Sequence, residues 1–309
     1  MKFLKPKFWD NKNDIFSILL KPISILFYFL ISLKKSLINA KKFKIPIICV
    51  GNIYVGGTGK TPLSIIITKE LKINKKNPVI IKKYYKDHND EHQMIKRTVD
   101  SLILNKNRTQ ALGEAERKSF DVAILDDGFQ DYAIEKDLNI VCFNSRQLIG
   151  NGLIFPAGPL RESFNSLKRA QIVVINGERN RIFENRILEI SKRIKIFYSN
   201  YTPTNIEQFK NKKLYAFAGI GNPNNFFELL SEYNLNVEKK VSFPDHYNFT
   251  VNEIEKMIEI AHKNDFEIIT TEKDFYRIKN YNFKKINYLK LDLIIKEKNK
   301  LIRDIVSHL

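Results

Sequence analysis

The stretch of sequence that decides the fold is VGNIYVGGTGKTPLSIII, residues 50–67. An apolar run leads into a glycine-rich turn, and Lys60, Thr61 and a segment of helical character follow it. This order is typical of a loop that binds phosphate through backbone N–H groups at the start of a helix. Tyr54 replaces the usual first glycine of the G-x-x-x-x-G-K-[ST] pattern. A glycine-rich turn without a ligand explains the order of the three elements less well.

The loop residues have predicted roles in holding a nucleotide. Consecutive backbone N–H groups, the positive end of the helix dipole and the Lys60 ammonium would converge on the β- and γ-phosphates. The hydroxyl of Thr61 is placed for Mg²⁺. The predicted cofactors are therefore ATP and Mg²⁺, and the predicted nucleotide-binding residues are Val55, Gly56, Gly57, Thr58, Gly59, Lys60 and Thr61.

Composition sets broad limits on the class of protein. The chain has 309 residues, of which 43% are hydrophobic, so it can fill the cores of two domains. Its net charge of +18 predicts attraction to nucleic acid, phosphorylated metabolites or anionic membrane, although heavy use of lysine throughout the chain explains part of that charge. The two cysteines lack metal-site or redox spacing, which favours buried thiols in a reducing compartment.

Apolar runs that read as strands alternate with helical stretches from residue 45 onward. Such alternation predicts an α/β fold, with a parallel sheet covered by helices. We expect two α/β/α sandwich domains, the larger with a P-loop NTPase-like parallel sheet, and place them at residues 1–205 and 206–309. The predicted strands are residues 45–50, 79–81, 122–125, 140–143, 172–175, 194–198, 213–218, 237–241 and 266–271.

The N-terminal segment DIFSILLKPISILFYFLISL, residues 14–33, is unusually apolar. Its uninterrupted part, residues 23–33, is shorter than a bilayer crossing requires, which predicts that it does not span a membrane. A signal peptide and a buried core helix are the alternatives. We favour a helix in the membrane interface, with aromatic residues at the headgroups and lysines against anionic lipid. The residues concerned are Trp9, Phe27, Tyr28, Phe29, Lys34, Lys35, Lys41 and Lys42.

Two carboxylates follow another apolar run in VAILDDGFQ, residues 122–130. Ligands of open parallel sheets bind beyond the carboxyl ends of the strands, so this strand should lie near the one that feeds the phosphate loop. Asp126 and Asp127 are then predicted to hold Mg²⁺ opposite Thr61, as in a Walker B motif. An acidic turn after a buried strand is the alternative.

The loop NGLIFPAGPLRE, residues 151–162, ends in adjacent opposite charges. A rigid loop of this kind can direct the Arg161 guanidinium at a phosphoryl group, with Glu162 orienting it or joining the metal ligands. Taken alone, the loop is equally well explained as a structural turn.

The second domain contains FPDHYNF, residues 243–249, followed by the capping box TVNE, residues 250–253. His246 thus lies on an ordered loop before a helix. It can accept a proton from an attacking hydroxyl if a carboxylate stabilises its imidazolium form. A lone loop histidine is more often incidental.

Taken together, these motifs resemble the tetraacyldisaccharide 4'-kinase family, the lipid A kinases. The resemblance covers nearly the whole chain, in order, and the joint occurrence is far more specific than any single string. It rests on GN (51–52), VGGTGKTP (55–62), DDGFQ (126–130), Gly152 with PAGPLRE (156–162), FAGIGNP (217–223) with Phe226 and Phe227, FPDH (243–246) and TEKD (271–274).

The resemblance implies transfer of the ATP γ-phosphate to the 4'-hydroxyl of a lipid disaccharide 1-phosphate. It implies Mg²⁺ as cofactor and a peripheral location at the cytoplasmic face of the bacterial inner membrane. The expected partners are this lipid and an anionic membrane surface, with no nucleic acid. The predicted catalytic residues are Asp90, His246, Lys60 and Arg161, and the predicted metal ligands are Thr61, Asp126, Asp127 and Glu162.

The catalytic base implied by the resemblance is an Asp–His pair. His246 matches the histidine, and Asp90 in NDE, residues 89–91, stands for its partner, with Asp87 as the alternative. Two departures affect the acceptor side. KKYY, residues 82–85, replaces a Ser-Arg-Gly-Tyr string, and Asp131 replaces a frequent histidine.

Two other functions compete with the lipid kinase. A P-loop NTPase that couples hydrolysis to movement of nucleic acid or a partner protein would use the basic surface, but no stacking or groove motif is recognisable. It would also leave the apolar N-terminus unexplained. A soluble kinase of small metabolites is the third.

Overall fold

The structure, a computed structural model, describes residues 5–85, 89–245 and 247–309, with the side chains of residues 89–91 also outside the description. The strands are β1 (Ile47–Gly51), β2 (Pro78–Lys83), β3 (Leu102–Asn105), β4 (Val122–Asp126), β5 (Leu138–Asn144), β6 (Ile172–Asn176), β7 (Lys195–Pro203), β8 (Lys213–Ala218), β9 (Asn236–Ser242), β10 (Glu267–Thr271), β11 (Ile286–Leu289) and β12 (Leu291–Ile295). The helices are α1 (Ile15–Ser36), α2 (Lys60–Ile73), α3 (Asn89–Thr98), α4 (Arg108–Arg117), α5 (Arg181–Ile190), α6 (Pro223–Glu232), α7 (Val251–Lys263), α8 (Glu272–Ile278) and α9 (Lys298–Val306).

Two compact units divide the chain. The larger contains Pro6–Tyr85, Ile95–Asn200 and Leu293–Leu309, and the smaller is formed mainly by Tyr201–Asp292. The chain passes from the larger unit to the smaller unit at Tyr201, and the last helix, α9, belongs to the larger unit again. The sequence-based limits, 1–205 and 206–309, stay a prediction about folding units.

The larger unit is built on an eight-stranded sheet within the described residues, in the order β12-β7-β6-β5-β1-β4-β2-β3. Strand β1 pairs in parallel with both β4 and β5, and β2 pairs in parallel with β4. Strands β1 and β4 are buried along their whole length, as expected for a parallel sheet covered on both faces. The predicted α/β class with a large parallel sheet is confirmed, and β4 lies directly beside the strand that feeds the phosphate loop.

The smaller unit has a four-stranded parallel sheet, β11-β10-β8-β9. Alternate residues of β8 face two different cores because strand side chains alternate in direction. Leu214 and Ala216 pack with Phe226 of α6, whereas Tyr215 packs with Met257 of α7. Helices therefore cover both faces of this sheet as well.

Three short strands were not predicted, namely β3, β11 and β12. Strand β3 has four residues and only partly buried positions apart from Ile103. Strands β11 and β12 are separated by Lys290 alone. Strands β3 and β11 are too short to show a periodic pattern, and the start of β12 is hidden because only one residue separates it from β11.

Helix α1 corrects the expectation that the N-terminal apolar segment is too short to cross a bilayer. The helix runs without a break over 22 residues, with Pro22 inside it. By length and composition alone it is long enough and apolar enough to cross a membrane. Proline removes one backbone donor, and here the turns on both sides continue the helix, so counting only residues 23–33 understated its length.

Trp9 also differs from its predicted place at the membrane headgroups. Only 4% of its surface is exposed, and its indole Nε1 donates a hydrogen bond to the Pro156 carbonyl at 3.1 Å. A buried tryptophan needs a partner for its N–H, and the loop before Arg161 supplies one. Trp9 therefore fixes the N-terminal segment to the larger unit instead of contacting lipid.

Candidate active site

The phosphate loop connects the end of β1 to the start of α2. Gly59 caps α2 with a φ of 90°, and Gly56 has a φ of 130°, so both adopt backbone conformations that residues other than glycine rarely adopt. Helix α2 then begins at Lys60, with Pro62 in its first turn as predicted. The start of this helix, with the positive end of its dipole, is the kind of helix N-terminus that binds anions.

The side chain of Asn52 binds two residues of the phosphate loop. It is fully buried, and its Nδ2 donates to the Gly56 carbonyl at 3.2 Å and to Thr58 Oγ1 at 3.0 Å. The Asn52 carbonyl in turn accepts from Gln130 Nε2 at 2.8 Å. One side chain therefore ties both halves of the turn together, and Gln130 links it to the segment after β4.

The loop before Arg161 braces the phosphate loop through the backbone. The Val55 N–H donates to the Pro159 carbonyl at 2.8 Å, and the Arg161 N–H donates to the Ile53 carbonyl at 2.7 Å. These two bonds make a short antiparallel contact between the loops. Arg161 is consequently held beside the phosphate loop by main-chain geometry.

Asp126 lies at the end of β4 and is fully buried. Its Oδ2 accepts from Thr61 Oγ1 at 2.9 Å and from Lys82 Nζ at 2.5 Å, and its Oδ1 accepts from Ser64 Oγ at 3.3 Å. The structure thus brings Thr61 and Asp126 together, as the Walker B hypothesis requires.

Asp127 gathers the two predicted phosphate-binding cations. Arg161 Nη1 lies 2.9 and 3.1 Å from its two carboxylate oxygens, and Lys60 Nζ lies 3.6 Å from Oδ1. Burial alone would raise the pKa of Asp127, but Lys60, Arg161 and Lys82 outweigh burial and hold that pKa well below its ordinary value. The Asp127 carboxylate is therefore ionised at neutral pH, and it is paired with Lys60 and Arg161.

Arg108, at the start of α4, fixes the backbone of the two aspartates. Its Nη2 donates to the Asp126 carbonyl at 3.1 Å and to the Asp127 carbonyl at 2.8 Å. Its Nη1 lies 3.6 Å from Asp131 Oδ2. Asp131, the residue that replaces a frequent histidine, is thus part of this support.

Glu162 is held by three donors. Gln130 Nε2 donates to Oε1 at 3.0 Å, while Tyr132 OH and Arg169 Nη2 both donate to Oε2 at 2.6 Å. Burial, aided by the bond to Glu162, raises the pKa of the Tyr132 hydroxyl. Glu162 reaches Arg161 through Gln130, whose Oε1 accepts from Arg161 Nη1 at 3.4 Å. Its role as a metal ligand stays a prediction.

The predicted base lies outside the described residues. Asp90 is on α3, but its side chain is not described, and Asp87 and His246 are not described at all. The capping box that follows His246 is confirmed, because Thr250 and Glu253 exchange hydrogen bonds at the start of α7. The pairing of Asp90 with His246 therefore stays a prediction.

Sequence reasoning assigned no role at the site to Lys82, Ser64 or Arg108. Lys82 gave one usable signal, since it is a charged residue at the carboxyl end of an apolar strand, where ligands of parallel sheets bind. Ser64 follows Thr61 by three residues and so shares its helix face. Arg108 gave no local signal because the carbonyls that it binds, those of Asp126 and Asp127, lie 18 and 19 residues further along the chain.

The donors around Asp126 suit Mg²⁺. Carboxylate and hydroxyl oxygens are the ligands that this ion prefers, and it usually takes only one or two protein carboxylates and completes its shell with phosphate and water. Among the side chains that the structure describes, those of residues 5–85, 92–245 and 247–309, no group of three or more His, Cys, Asp or Glu residues forms a metal cage. The residues present therefore fit a magnesium ion shared with a phosphate.

Comparisons with known proteins agree with one another. The family model described as "Tetraacyldisaccharide-1-P 4'-kinase" matches residues 16–309. A tetraacyldisaccharide 4'-kinase of Pelagibacter ubique is 42% identical over 99% of this chain and 98% of its own length. One from Rickettsia canadensis is 35% identical over 97% of this chain and 96% of its own length.

A solved structure supports the same fold. The crystal structure of LpxK from Aquifex aeolicus in complex with ATP aligns with a TM-score of 0.70 at 24% identity, covering 95% of this chain and 99% of that one. At 24% identity the structural likeness shows the fold alone, and the family model and the two related sequences show the family. The chain belongs to the tetraacyldisaccharide-1-P 4'-kinase family.

Proposed function

We propose that this chain transfers the γ-phosphate of ATP to the 4'-hydroxyl of a tetraacyldisaccharide 1-phosphate, a step of lipid A biosynthesis. The observation that carries the proposal is the meeting of Lys60, Thr61, Asp126, Asp127 and Arg161 around one helix N-terminus. Family membership over nearly the whole chain supplies the acceptor.

The chain's own residues position phosphate and neutralise its charge. The N–H groups from Gly56 to Lys60 and the Lys60 ammonium would bind the β- and γ-phosphates. Arg161 is braced by the phosphate loop and offers bidentate contacts to a transferring phosphoryl group. Lys60 and Arg161 are both already paired with Asp127. A phosphate oxygen would take the place of one Asp127 carboxylate oxygen beside these two cations, so the positive charges would need little rearrangement.

The metal ligands we propose are Thr61, Asp126 and Asp127. When bound there, Mg²⁺ would supply positive charge that stabilises the negative charge developing on the phosphoryl group during transfer. Arg108 keeps the backbone of both aspartates fixed, so their carboxylates are presented to the ion without rearrangement of the chain. Glu162 is a further proposed ligand, and Gln130 and Arg169 hold it.

Asp90 and His246 are the proposed base for the sugar hydroxyl. An Asp–His pair keeps the imidazole oriented and stabilises its cation once it has accepted a proton. His246→Ala should then lower kcat far more than the KM for ATP, because the nucleotide is held elsewhere. Unchanged kcat in both His246→Ala and Asp90→Ala would remove this pair from the mechanism.

Helix α1 is the proposed membrane contact. Its only fully buried residues are Ser17 and Ser24, and most of its apolar side chains are exposed. The exposed large apolar residues of this helix are Ile15, Phe16, Ile18, Leu19, Ile23, Ile25, Leu26, Phe27, Tyr28, Phe29, Leu30 and Leu33. Lys34 and Lys35 follow in its last turn, where they would meet anionic headgroups.

We propose that α1 lies in the interface instead of crossing the bilayer. Ser17 Oγ accepts from Asn151 Nδ2 at 3.0 Å, and Ser24 Oγ donates to the Ile154 carbonyl at 2.8 Å, so the helix is docked along the larger unit. A helix attached this way brings the whole unit to the membrane surface. The proposed location is peripheral, at the cytoplasmic face of the bacterial inner membrane, where ATP is present.

A transfer assay with γ-labelled ATP tests the function. We expect Mg²⁺-dependent transfer of label to a tetraacyldisaccharide 1-phosphate and none to water-soluble sugars. Label released as inorganic phosphate on addition of nucleic acid would favour the P-loop NTPase alternative. Label on soluble acceptors only would favour a small-metabolite kinase, and no transfer to any acceptor would refute the proposal.

A further inference from the structure

The Lys82 ammonium forms an ion pair with the Asp126 carboxylate, which is proposed to bind the metal. Lys82 Nζ is 2.5 Å from Asp126 Oδ2 and 3.4 Å from Thr61 Oγ1. The side chains are 6% exposed for Lys82 and 0% for Asp126. The ammonium therefore contacts both groups that would hold a divalent ion.

The backbone fixes this contact. Strands β2 and β4 pair in parallel, and their register places Lys82 opposite Asp126. Residues opposite each other in a ladder point to the same face of the sheet, so their side chains meet without help from a loop. Lys82 is the first residue of KKYY, residues 82–85, which replaces the Ser-Arg-Gly-Tyr string, and the contact is thus specific to chains with a lysine here.

A buried carboxylate needs a compensating charge, and Lys82 supplies it. Thr61 donates to Oδ2 and Ser64 donates to Oδ1, so both oxygens of Asp126 already accept hydrogen bonds. A divalent ion at Asp126 Oδ2 would lie within a few ångströms of the ammonium, where like charges in a buried site repel strongly. The two cations cannot share this oxygen and must compete for it.

We propose that Lys82 is a resident cation, which holds Asp126 and Thr61 in their metal-binding arrangement until a divalent ion displaces it from Asp126. The inference rests on the proposed function, which supplies the ion. Lys82 is then a positioning residue that sets how much free metal the enzyme requires. It also keeps the buried carboxylate paired whenever no metal is bound.

Manganese binding tests the competition directly. Mn²⁺ would be titrated into the full-length chain without nucleotide and followed by electron paramagnetic resonance. Removing a competing charge at this distance should tighten Mn²⁺ binding by at least about tenfold in Lys82→Met. Lys83→Met is the matched control, because Lys83 is the next residue of β2 and lies over the Tyr85 ring instead. It should bind Mn²⁺ as the unchanged chain does.

Thermal unfolding gives a second readout that is independent of activity. Without metal, Lys82→Met leaves the Asp126 carboxylate buried with no positive charge paired to it. The Tm of this variant should therefore fall by on the order of 10 °C. Millimolar Mg²⁺ should restore most of that loss, while it changes the unchanged chain little. The double variant Lys82→Met with Asp126→Asn has no charge to pair and should respond to Mg²⁺ hardly at all.

The outcomes separate cleanly. Mn²⁺ binding that is equal or weaker in Lys82→Met, or a Tm that ignores Mg²⁺, overturns the inference and makes Lys82 a structural ion pair only. If Lys82→Met does not fold, Lys82→Gln keeps a donor, removes the charge and must show the same gain in Mn²⁺ affinity. Lipid phosphorylation without that gain refutes this inference alone, whereas absence of Mn²⁺ binding even with ATP refutes the proposed function as well.

Discussion

Helix α1 and the sheet around β1 use polar and apolar side chains in opposite ways. In β1 and β4 the apolar residues are buried, and polar groups collect where the strands end. In α1 the buried residues are Ser17 and Ser24, and most of the apolar residues are exposed. The first pattern builds a core with a site at its edge, and the second exposes apolar surface of the kind that marks protein or membrane interaction sites.

The two regions also differ in what holds them. The sheet is held by apolar burial and ladder hydrogen bonds, whereas α1 is held by side-chain hydrogen bonds from Ser17, Ser24 and Asn151. Burial of apolar area is strong and non-directional, while a few hydrogen bonds are directional and modest in net energy. A docked helix of this kind therefore keeps its orientation without being part of the core.

The largest expected effect is at the phosphate loop. Lys60→Ala removes a cation that would bind the transferring phosphate and should lower kcat/KM by about 10³-fold, the size of losing one preorganised charge contact. Lys69→Ala is the matched control, since Lys69 is an exposed lysine of the same helix. Comparable activity of the two variants in the lipid kinase assay would contradict the assigned role of Lys60.

The next effect concerns membrane binding by α1. Phe16 and Phe29 are 60% and 62% exposed, and inserting each into a lipid interface is worth about 1.5–3 kcal/mol. Phe16→Glu with Phe29→Glu should lower partition into vesicles with anionic lipid by about 10²-fold or more. Tyr233→Glu changes an exposed aromatic residue of the smaller unit and should leave partition unaltered. Full retention of the double variant on vesicles would refute the interface helix.

A smaller effect tests the docking of α1. Ser24 Oγ donates to the Ile154 carbonyl and accepts from the Ala157 N–H at 2.9 Å, so Ser24→Ala removes the acceptor of the buried Ala157 N–H and one of the two donors to the Ile154 carbonyl. The free energy of unfolding should fall by about 1–3 kcal/mol, which lowers Tm by a few degrees. Ser36→Ala, at the exposed end of the same helix, is the control. Equal Tm values for the two variants would show that the serine contacts do not hold α1.

The smallest effect is the pH dependence that separates the two regions. The pKa of folded Asp127 is depressed, so its ion pairs stabilise the fold above the unfolded pKa of about 3.9 and lose that contribution as pH falls towards the folded pKa. The stability difference between the unchanged chain and Asp127→Asn should shrink below about pH 4. The effect of Ser24→Ala should not change with pH, because its hydroxyl does not titrate there. A pH-independent effect of Asp127→Asn, measured by denaturant unfolding, would contradict the ion-pair geometry.

The amino-acid sequence by itself determined the parallel α/β class, the phosphate loop, the pairing of Thr61 with the Asp126 strand and the capping box at Thr250. These features depend on local order and on the rule that parallel strands present their carboxyl ends at one edge. Spacing along the chain is enough to express them. The apolar character of α1 was legible in the same way, but its length was not, because Pro22 interrupts the apolar run without interrupting the helix.

Only the tertiary structure decided which partners each charged group has. Lys82 lies on Asp126 because β2 is the neighbour of β4, and Arg108 binds the aspartate carbonyls across the chain. Glu162 is held by Tyr132 and Arg169, which no local pattern relates to it. Likewise, the docking of α1 by its serines requires a loop more than a hundred residues away in sequence. The physical reason is that strand order and long-range hydrogen bonds are set by packing, which a linear pattern does not encode.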